Sequence, residues 1–289
     1  MNKKDGENWI ILIILSIIWG SSFILIKKGL QAFNYLEVAS LRLIIAFIIL
    51  IPFVISSLKK CKIESLTSLI IVSLIGTVLP AILFAQAQTH LNSSLTGMLN
   101  SLTPIFTLFL GVLFFNKKTH PLQFAGLIIS MTGTYMLLSP SGFNGEDFKY
   151  SSLIILASVC YGLSINIIRN NLKEMQSLDI AVITSFLSAI IPIIYITNSG
   201  TKEIIMKISL NLPSFYYLIV LGTIGTSIAI IIFNHLIKRS SAVFASTTTY
   251  LIPIFAIIWG LIDGETIYKN EYIAIIIVLF GVFIMNQKK

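Results

Sequence analysis

Charge is what this sequence has least of. Only 11% of its 289 residues are Asp, Glu, Lys or Arg, whereas a soluble domain carries roughly a quarter. A mean hydropathy of +0.91 over the whole length is too apolar for one large core with a wettable surface. The apolar residues must meet lipid, and the chain reads as a polytopic membrane protein. Acids are scarcer still, twelve against twenty basic residues, and each lies in a loop or at the end of an apolar run. A buried carboxylate relay, a common route to proton coupling, is therefore not expected. The two cysteines, Cys61 and Cys160, lack metal-ligand spacing and read as free thiols. No glycine-rich phosphate loop with lysine, paired metal motif or nucleophile elbow is present. ATP-driven transport by this chain alone is excluded on that ground, and neither an enzyme activity, a cofactor nor a metal is expected. The net charge of +8 does not point to nucleic acid, because the basic residues sit in short clusters between apolar runs.

What is present is a series of ten apolar runs, near 9–28, 35–56, 67–88, 94–115, 121–138, 150–168, 178–197, 213–237, 243–262 and 271–286. A helix needs about 20 residues to cross the hydrocarbon, and helices satisfy their own backbone where water is absent. The alternation of a transmembrane barrel is missing. The first run extends past a signal-peptide core and reads as a span. With the N-terminus inside, thirteen Lys and Arg fall in inside segments and six outside, with Arg42 within a span. That bias predicts both termini in the cytoplasm and a multi-pass protein of the plasma membrane.

The chain also repeats itself. "LTPIFTLFLGVLF" from Leu102 returns as "LIPIFAIIWGLI" from Leu251, so Pro104 maps to Pro253, Gly111 to Gly260 and Gly76 to Gly225 at an offset of 149. Earlier the offset is 142: Trp19-Gly20 maps to Tyr161-Gly162, Ser22 to Ser164, Lys27 to Arg169 and Glu37 to Asp179. The halves read as residues 1–139 and 150–289, with a Gly- and Pro-containing linker over 140–149. Five spans per half is an odd number, so the second copy enters the membrane from the opposite side. The predicted fold is all-α, ten transmembrane helices in two inverted-topology five-helix repeats. Secondary transporters often use this plan, with the site near the midplane between the copies.

These residues resemble EamA-type members of the drug/metabolite transporter superfamily. The resemblance rests on "WGSSFILIKKGL", "ASLRLIIAF" and "LTPIF…G" in the first half, and on "YGLSINIIR", "LIPIFAIIWGLIDGE" and "LFGVFI" in the second. It covers nearly the whole chain. It implies ten helices, two inverted repeats, and movement of small metabolites or drugs, often outward. The sequence departs from the family where an acid is expected after the fourth span, since Asn116 stands there; Glu265 occupies the matching place after the ninth. Arg42 of the second span has Thr184 as its counterpart.

Several residues are candidates for the site. Arg42 is the one charge well inside a span, where burial costs roughly 3 kcal/mol or more. It either snorkels or bonds helix carbonyls, or its donor fork docks an anionic substrate group such as carboxylate or phosphate. Polar clusters precede Pro104 and Pro253, helix-break positions that free a carbonyl. Asn100 with Thr249, and Ser101 with Tyr250, are repeat mates there. Asn100, Thr249 and Tyr250 either face a cavity or bond neighbouring helices. Trp19 and Tyr161 sit past the middle of their spans, as packing or as stacking surfaces for substrate. His235 carries an imidazole, a side chain suited to proton transfer, and is either a proton-coupling group or an interfacial histidine beside Lys238 and Arg239. The expected function is a secondary transporter exporting amino acids, related amphipathic compounds or drugs by alternating access. Its partners are a small-molecule substrate and the bilayer, and it acts as a monomer or homodimer. An intramembrane enzyme and a non-transporting scaffold or sensor are the rival readings.

Overall fold

The computed structural model describes residues 3–118, 120–138, 145–266 and 269–285. Its helices, in chain order, are α1 (Lys3–Gly29), α2 (Tyr35–Lys59), α3 (Ile63–Ala87), α4 (Ser93–Phe115), α5 (Pro121–Leu138), α6 (Gly145–Asn171) and α7 (Ser177–Asn198). They continue as α8 (Thr201–Leu210), α9 (Leu212–Arg239), α10 (Ala242–Ile262) and α11 (Lys269–Met285). No strand occurs among the described residues. Part of the expected linker, residues 140–144, lies outside them.

Eight helices are long and apolar enough to cross a bilayer: α1–α4, α6, α7, α9 and α10. The sequence predicts ten such runs. The fifth and tenth coincide with α5 and α11, whose described apolar stretches are shorter, Pro121–Gly133 and Tyr272–Gly281. Those two helices pack mainly on each other and touch the rest through α4 and α10. A Cβ on Gly133 would come 2.7 Å from Val278 Cγ2, and one on Gly281 2.6 Å from the Ser130 nitrogen. Small residues thus let two backbones approach closely without a hydrophobic driving force from water. α8 is a separate surface helix that leaves Ile205, Met206 and Leu210 exposed and buries Ile204.

Local signals set the helix ends. Asn34 caps α2 in a capping box: its side chain accepts from the Glu37 nitrogen at 2.9 Å, and Glu37 accepts from the Asn34 nitrogen at 2.8 Å. Asn92 and Ser241 cap α4 and α10 in the same sense. Asn116 closes α4 in the left-handed conformation, with φ of 49°, and the Lys117 nitrogen reaches back to the Gly111 carbonyl.

Every main packing contact has its repeat counterpart. α1 lies on α10 and α6 on α4; α9 lies on α1 and α3 on α6; α2 faces α7. Gly20 and Gly162 make the first pair possible. A Cβ on Gly20 would meet Phe255 Cβ at 2.5 Å, and one on Gly162 would meet the Thr107 nitrogen at 2.8 Å. The C-terminus of α1 and the N-terminus of α6 lie at one end of the bundle. Lys27 of α1 pairs with Glu265, Glu265 bonds Ser93 at the start of α4, and His90 just before α4 stacks on Tyr150 of α6 at 3.7 Å. This is called the Lys27 end below, and the opposite one the Arg169 end. The flanks carry apolar side chains facing outward, among them Ile10, Ile14, Ile48, Ile55, Phe109 and Leu113, a surface suited to acyl chains rather than water.

Candidate functional site

Two π-helical turns shape the centre. α3 widens at Leu74–Val78 and α9 at Thr223–Ile228, around the repeat mates Gly76 and Gly225. A π turn displaces side chains from the regular α register and often marks a functional place. The absent Cβ matters here. At Gly225 a Cβ would lie 2.9 Å from Ser22 Oγ, and at Gly76 it would run into Ser164 Oγ. Each half therefore presses its π turn on the first helix of the other half.

Between them lies a central cavity, of which about 110 Å³ is open to the centre of a water molecule. Its walls come from α1–α4, α6, α7, α9 and α10. Those are the same eight helices that can span a bilayer. Most of the lining is apolar. Trp19 stands edge-on to Phe233 at 4.7 Å, and its repeat mate Tyr161 stacks on Phe84 at 5.9 Å. Phe84 and Phe233 are themselves repeat mates, so one aromatic pair stands on either side. Trp19 Nε1 donates to the Gly225 carbonyl at 3.2 Å.

The polar part of the lining is small. Arg42 Nε donates to Thr226 Oγ1 at 2.7 Å, and Thr226 Oγ1 donates to the Leu221 carbonyl at 2.8 Å. The π turn thus supplies the oxygen that holds the guanidinium. Asn100 and Thr249 face one another by the repeat, both buried and both lining the cavity. The Asn100 carbonyl, freed by Pro104, accepts from Thr103 Oγ1 at 2.9 Å. Thr77, Thr184 and Asn234 line it too, with Ser22, Thr103 and Ser164. Asn234 is 2% exposed, and its Nδ2 has no hydrogen-bond partner.

Of the residues singled out from the sequence, Trp19, Arg42, Asn100, Tyr161 and Thr249 meet in this one cavity. Tyr250 does not. It packs among Met98, Leu108, Ala274, Ile275 and Val278, with its hydroxyl unpartnered. The helix turn that points Thr249 inward points its neighbour away. His235 is also elsewhere: it is exposed, and the preceding residue, Asn234, is the one on the cavity. Pro104 and Pro253 sit behind the lining, Pro104 in the first turn after the break at Ser101–Leu102 and Pro253 within α10. The sequence reading passed over Thr226, Thr77, Asn234, Phe84 and Phe233. The matched Gly76 and Gly225 were the available signal for the two threonines, since each follows its glycine directly.

Ionic clusters close both ends, in different ways. At the Lys27 end, Glu265 accepts from the nitrogen and hydroxyl of Ser93 (2.9 and 2.7 Å) and of Ser94 (3.0 and 2.6 Å), and from Lys27 Nζ at 2.8 Å. Burial pushes the Glu265 carboxyl upward, but the bonds from Lys27, Ser94 and Ser93 outweigh it and bring the pKa down to about 2. The carboxylate also sits at the N-terminus of α4, where helix dipoles favour anions. Asp263 pairs with Lys27 at 2.8 Å and with Lys28, and these bonds hold its carboxyl below the usual range. At the Arg169 end Arg239 pairs with Glu7, whereas Lys117 and Arg169 use neutral acceptors. Lys117 Nζ donates to Asn166 Oδ1 at 2.7 Å, and Arg169 Nη1 to the Lys238 carbonyl at 2.6 Å. Burial and the nearby Arg169 charge lower the Lys117 ammonium pKa. Further pairs tie the halves at their rims: Lys207 to Glu37 at 2.8 Å at the Lys27 end, and Lys60 to Asp179 at 3.6 Å at the Arg169 end.

The profile of the EamA-like transporter family matches residues 8–139 and 149–287. The chain belongs to the EamA-like transporter family. Other members resemble it along almost their whole length. "Uncharacterized inner membrane transporter YedA" of Escherichia coli K12 is 26% identical over 283 residues, 96% of this chain and 90% of that protein. A "probable amino-acid metabolite efflux pump" of Salmonella typhimurium is 23% identical, covering 98% and 95%. A solved crystal structure superposes with a TM-score of 0.65 at 13% identity, covering 97% of this chain and 96% of that one, which is a likeness of fold. In EamA-like terms the chain is a multi-pass membrane transporter.

Proposed function

We propose that this chain is a secondary transporter that moves small amphipathic metabolites outward by alternating access. Its unit would be five spans, α1–α5 in residues 1–139 and α6, α7, α9, α10 and α11 in residues 150–289, joined through 140–149. The second unit runs inverted, and both termini face the cytoplasm of a plasma-membrane protein that works as a monomer or homodimer. The observation that carries this reading is the central cavity. Eight helices from both halves wall it, aromatic pairs flank it, and one guanidinium with amides and hydroxyls gives it polarity. An inverted pair of repeats can rock about such a site and expose it to either side in turn. The relatives named as inner-membrane transporter and amino-acid metabolite efflux pump support the class of cargo and the direction.

Flux into and out of proteoliposomes tests it. The purified protein should move at least one member of a broad panel of amino acids, hydroxy acids and amphipathic drugs faster than protein-free vesicles. No movement of any compound in either direction would overturn the reading.

A further inference from the structure

The cavity holds an imbalance of charge. Arg42 contributes one positive charge to its lining, and no Asp or Glu among the described residues lines it. The Arg42 side chain uses one of its donor nitrogens, Nε, on Thr226. Its two terminal nitrogens donate to no protein acceptor among the described residues, and they are not sealed off, since they are absent from the fully buried unpartnered atoms that include Asn234 Nδ2. An unpaired guanidinium in a low-dielectric site is costly unless a carboxylate or similar anion meets its fork. Asn234 Nδ2 is a second donor held without an acceptor. The rest of the wall is mostly aromatic and aliphatic, with neutral hydroxyls and amides.

At the Arg169 end, beside the ion pairs Arg239–Glu7 and Lys60–Asp179, two cations have no acid partner at hydrogen-bond distance. Lys117 and Arg169 bond an amide oxygen and a backbone carbonyl there, rather than carboxylates. Arg169 follows Ile168, which lines the cavity. At the Lys27 end, by contrast, Lys27 and Lys28 are matched by Asp263 and Glu265. An anion entering from the Arg169 end passes two cations whose charge no acid cancels at hydrogen-bond distance, and then reaches a third. An ammonium on the same path is repelled, and inside it finds no carboxylate.

We infer that the cavity selects monoanionic carboxylates with an apolar or aromatic body, such as 2-hydroxy acids, over the zwitterionic amino acids of the same shape. This deepens the transport reading and rests on it for physiological meaning, although the binding preference is a property of the cavity alone. In the bound state the carboxylate takes the two terminal nitrogens of Arg42, Asn100 donates to a remaining lone pair or to the 2-hydroxyl, and the ring lies between Trp19 and Tyr161.

The test uses three isosteric probes: 3-phenyllactate, phenylalanine and 3-phenyllactamide, which are anion, zwitterion and neutral molecule. Isothermal titration on the detergent-purified full chain at pH 7.5 gives affinities, and proteoliposomes give flux. Phenyllactate should bind at least tenfold tighter than either other probe. Arg42→Gln should abolish that ratio, with an unchanged detergent melting temperature showing that the fold is intact; Arg42→Lys should restore part of the ratio. The wild-type ranking stands by itself if a variant fails to fold. Phenylalanine or phenyllactamide binding as tightly as phenyllactate, an unchanged ratio in Arg42→Gln, or no binding of any probe overturns the inference. The two readings fail separately. Phenyllactate bound selectively by a protein that moves nothing upholds the selectivity and overturns transport. Flux of other panel compounds without anion preference upholds transport and overturns the selectivity.

Discussion

Replacing Glu265 by glutamine should open the Lys27 end of the bundle. The carboxylate receives hydrogen bonds from Ser93 N and Oγ, Ser94 N and Oγ, and Lys27 Nζ. It thereby joins the C-terminal ends of α1 and α10 to the N-terminus of α4. Its pKa falls from 4.5 to about 2. At about 1.36 kcal/mol per pKa unit, the closed arrangement favours the ionised form by roughly 3 kcal/mol relative to a state in which water surrounds it. The sign follows from the depressed pKa. The stabilisation is fully present above the ordinary value of 4.5 and is lost as pH falls through 2, so the latch is constant across the neutral range. Glutamine keeps one acceptor oxygen, turns an NH₂ group toward serine donors, and removes the charge that holds Lys27. Lys27 keeps Asp263 at 2.8 Å, so part of the stabilisation survives. A shift of tenfold to a hundredfold toward the state open at this end is expected. The assay is modification by a membrane-impermeant maleimide of a thiol introduced by Ile26→Cys, in a Cys61→Ser background. Ile26 lines the cavity one residue from Lys27 and is 2% exposed. Buried Cys160 is controlled by the parent lacking the Ile26 change. The labelling rate should rise at least tenfold at pH 7.5 in Glu265→Gln. An unchanged rate would show that Glu265 does not hold this end shut.

Three further outcomes follow from particular contacts. Thr226→Val removes the acceptor of Arg42 Nε and should weaken 3-phenyllactate binding about threefold to tenfold by titration, whereas Thr226→Ser should leave it unchanged. Tyr250→Phe deletes a buried hydroxyl that bonds nothing, so flux and melting temperature should hold or improve slightly, while Tyr161→Ala should cut flux by more than half. Gly20→Val drives a side chain into Phe255 and the Ile252 carbonyl at 3.0 Å. Overpacking of about 1–3 kcal/mol or more should lower the detergent melting temperature by several degrees, and Gly162→Val should do the same at the mate contact.

The spans were legible because lipid imposes one rule on every residue of a run. The boundaries of α2, α7 and α10 could be read to within a few residues from apolar length and from caps such as Asn34. The site was legible where the repeat crossed the helical period: Trp19 and Tyr161, and Asn100 and Thr249, share one cavity. It was illegible one residue further on. Tyr250 and His235 carry more chemistry than Thr249 and Asn234, but a step of about 100° around a helix separates the cavity from the core or the surface. The π turns hid Thr226. Nothing in the composition of "LGTIGTSI" announces an extra backbone residue per turn, and that residue decides which hydroxyl meets Arg42.

The two departures from the repeat are the most informative feature of the chain. Were the halves identical, the arrangement open at one end would be the mirror of the arrangement open at the other, and the two would be equally populated. Arg42 faces Thr184 across the repeat, and Glu265 faces Asn116. The first substitution puts a single charge in the cavity rather than two opposed ones, so one carboxylate suffices to neutralise it. The second leaves a network of charge-assisted bonds at the Lys27 end, while Asn116 at the other end caps its helix in the left-handed conformation and holds no cation. Opening the Lys27 end breaks a buried, multiply bonded carboxylate; opening the Arg169 end breaks the Lys117 and Arg169 bonds to neutral oxygens together with the more exposed ion pairs Arg239–Glu7 and Lys60–Asp179, which water replaces more readily. The empty protein should therefore rest with the Lys27 end shut and the cationic end accessible. That is the end from which an anion would be drawn toward Arg42.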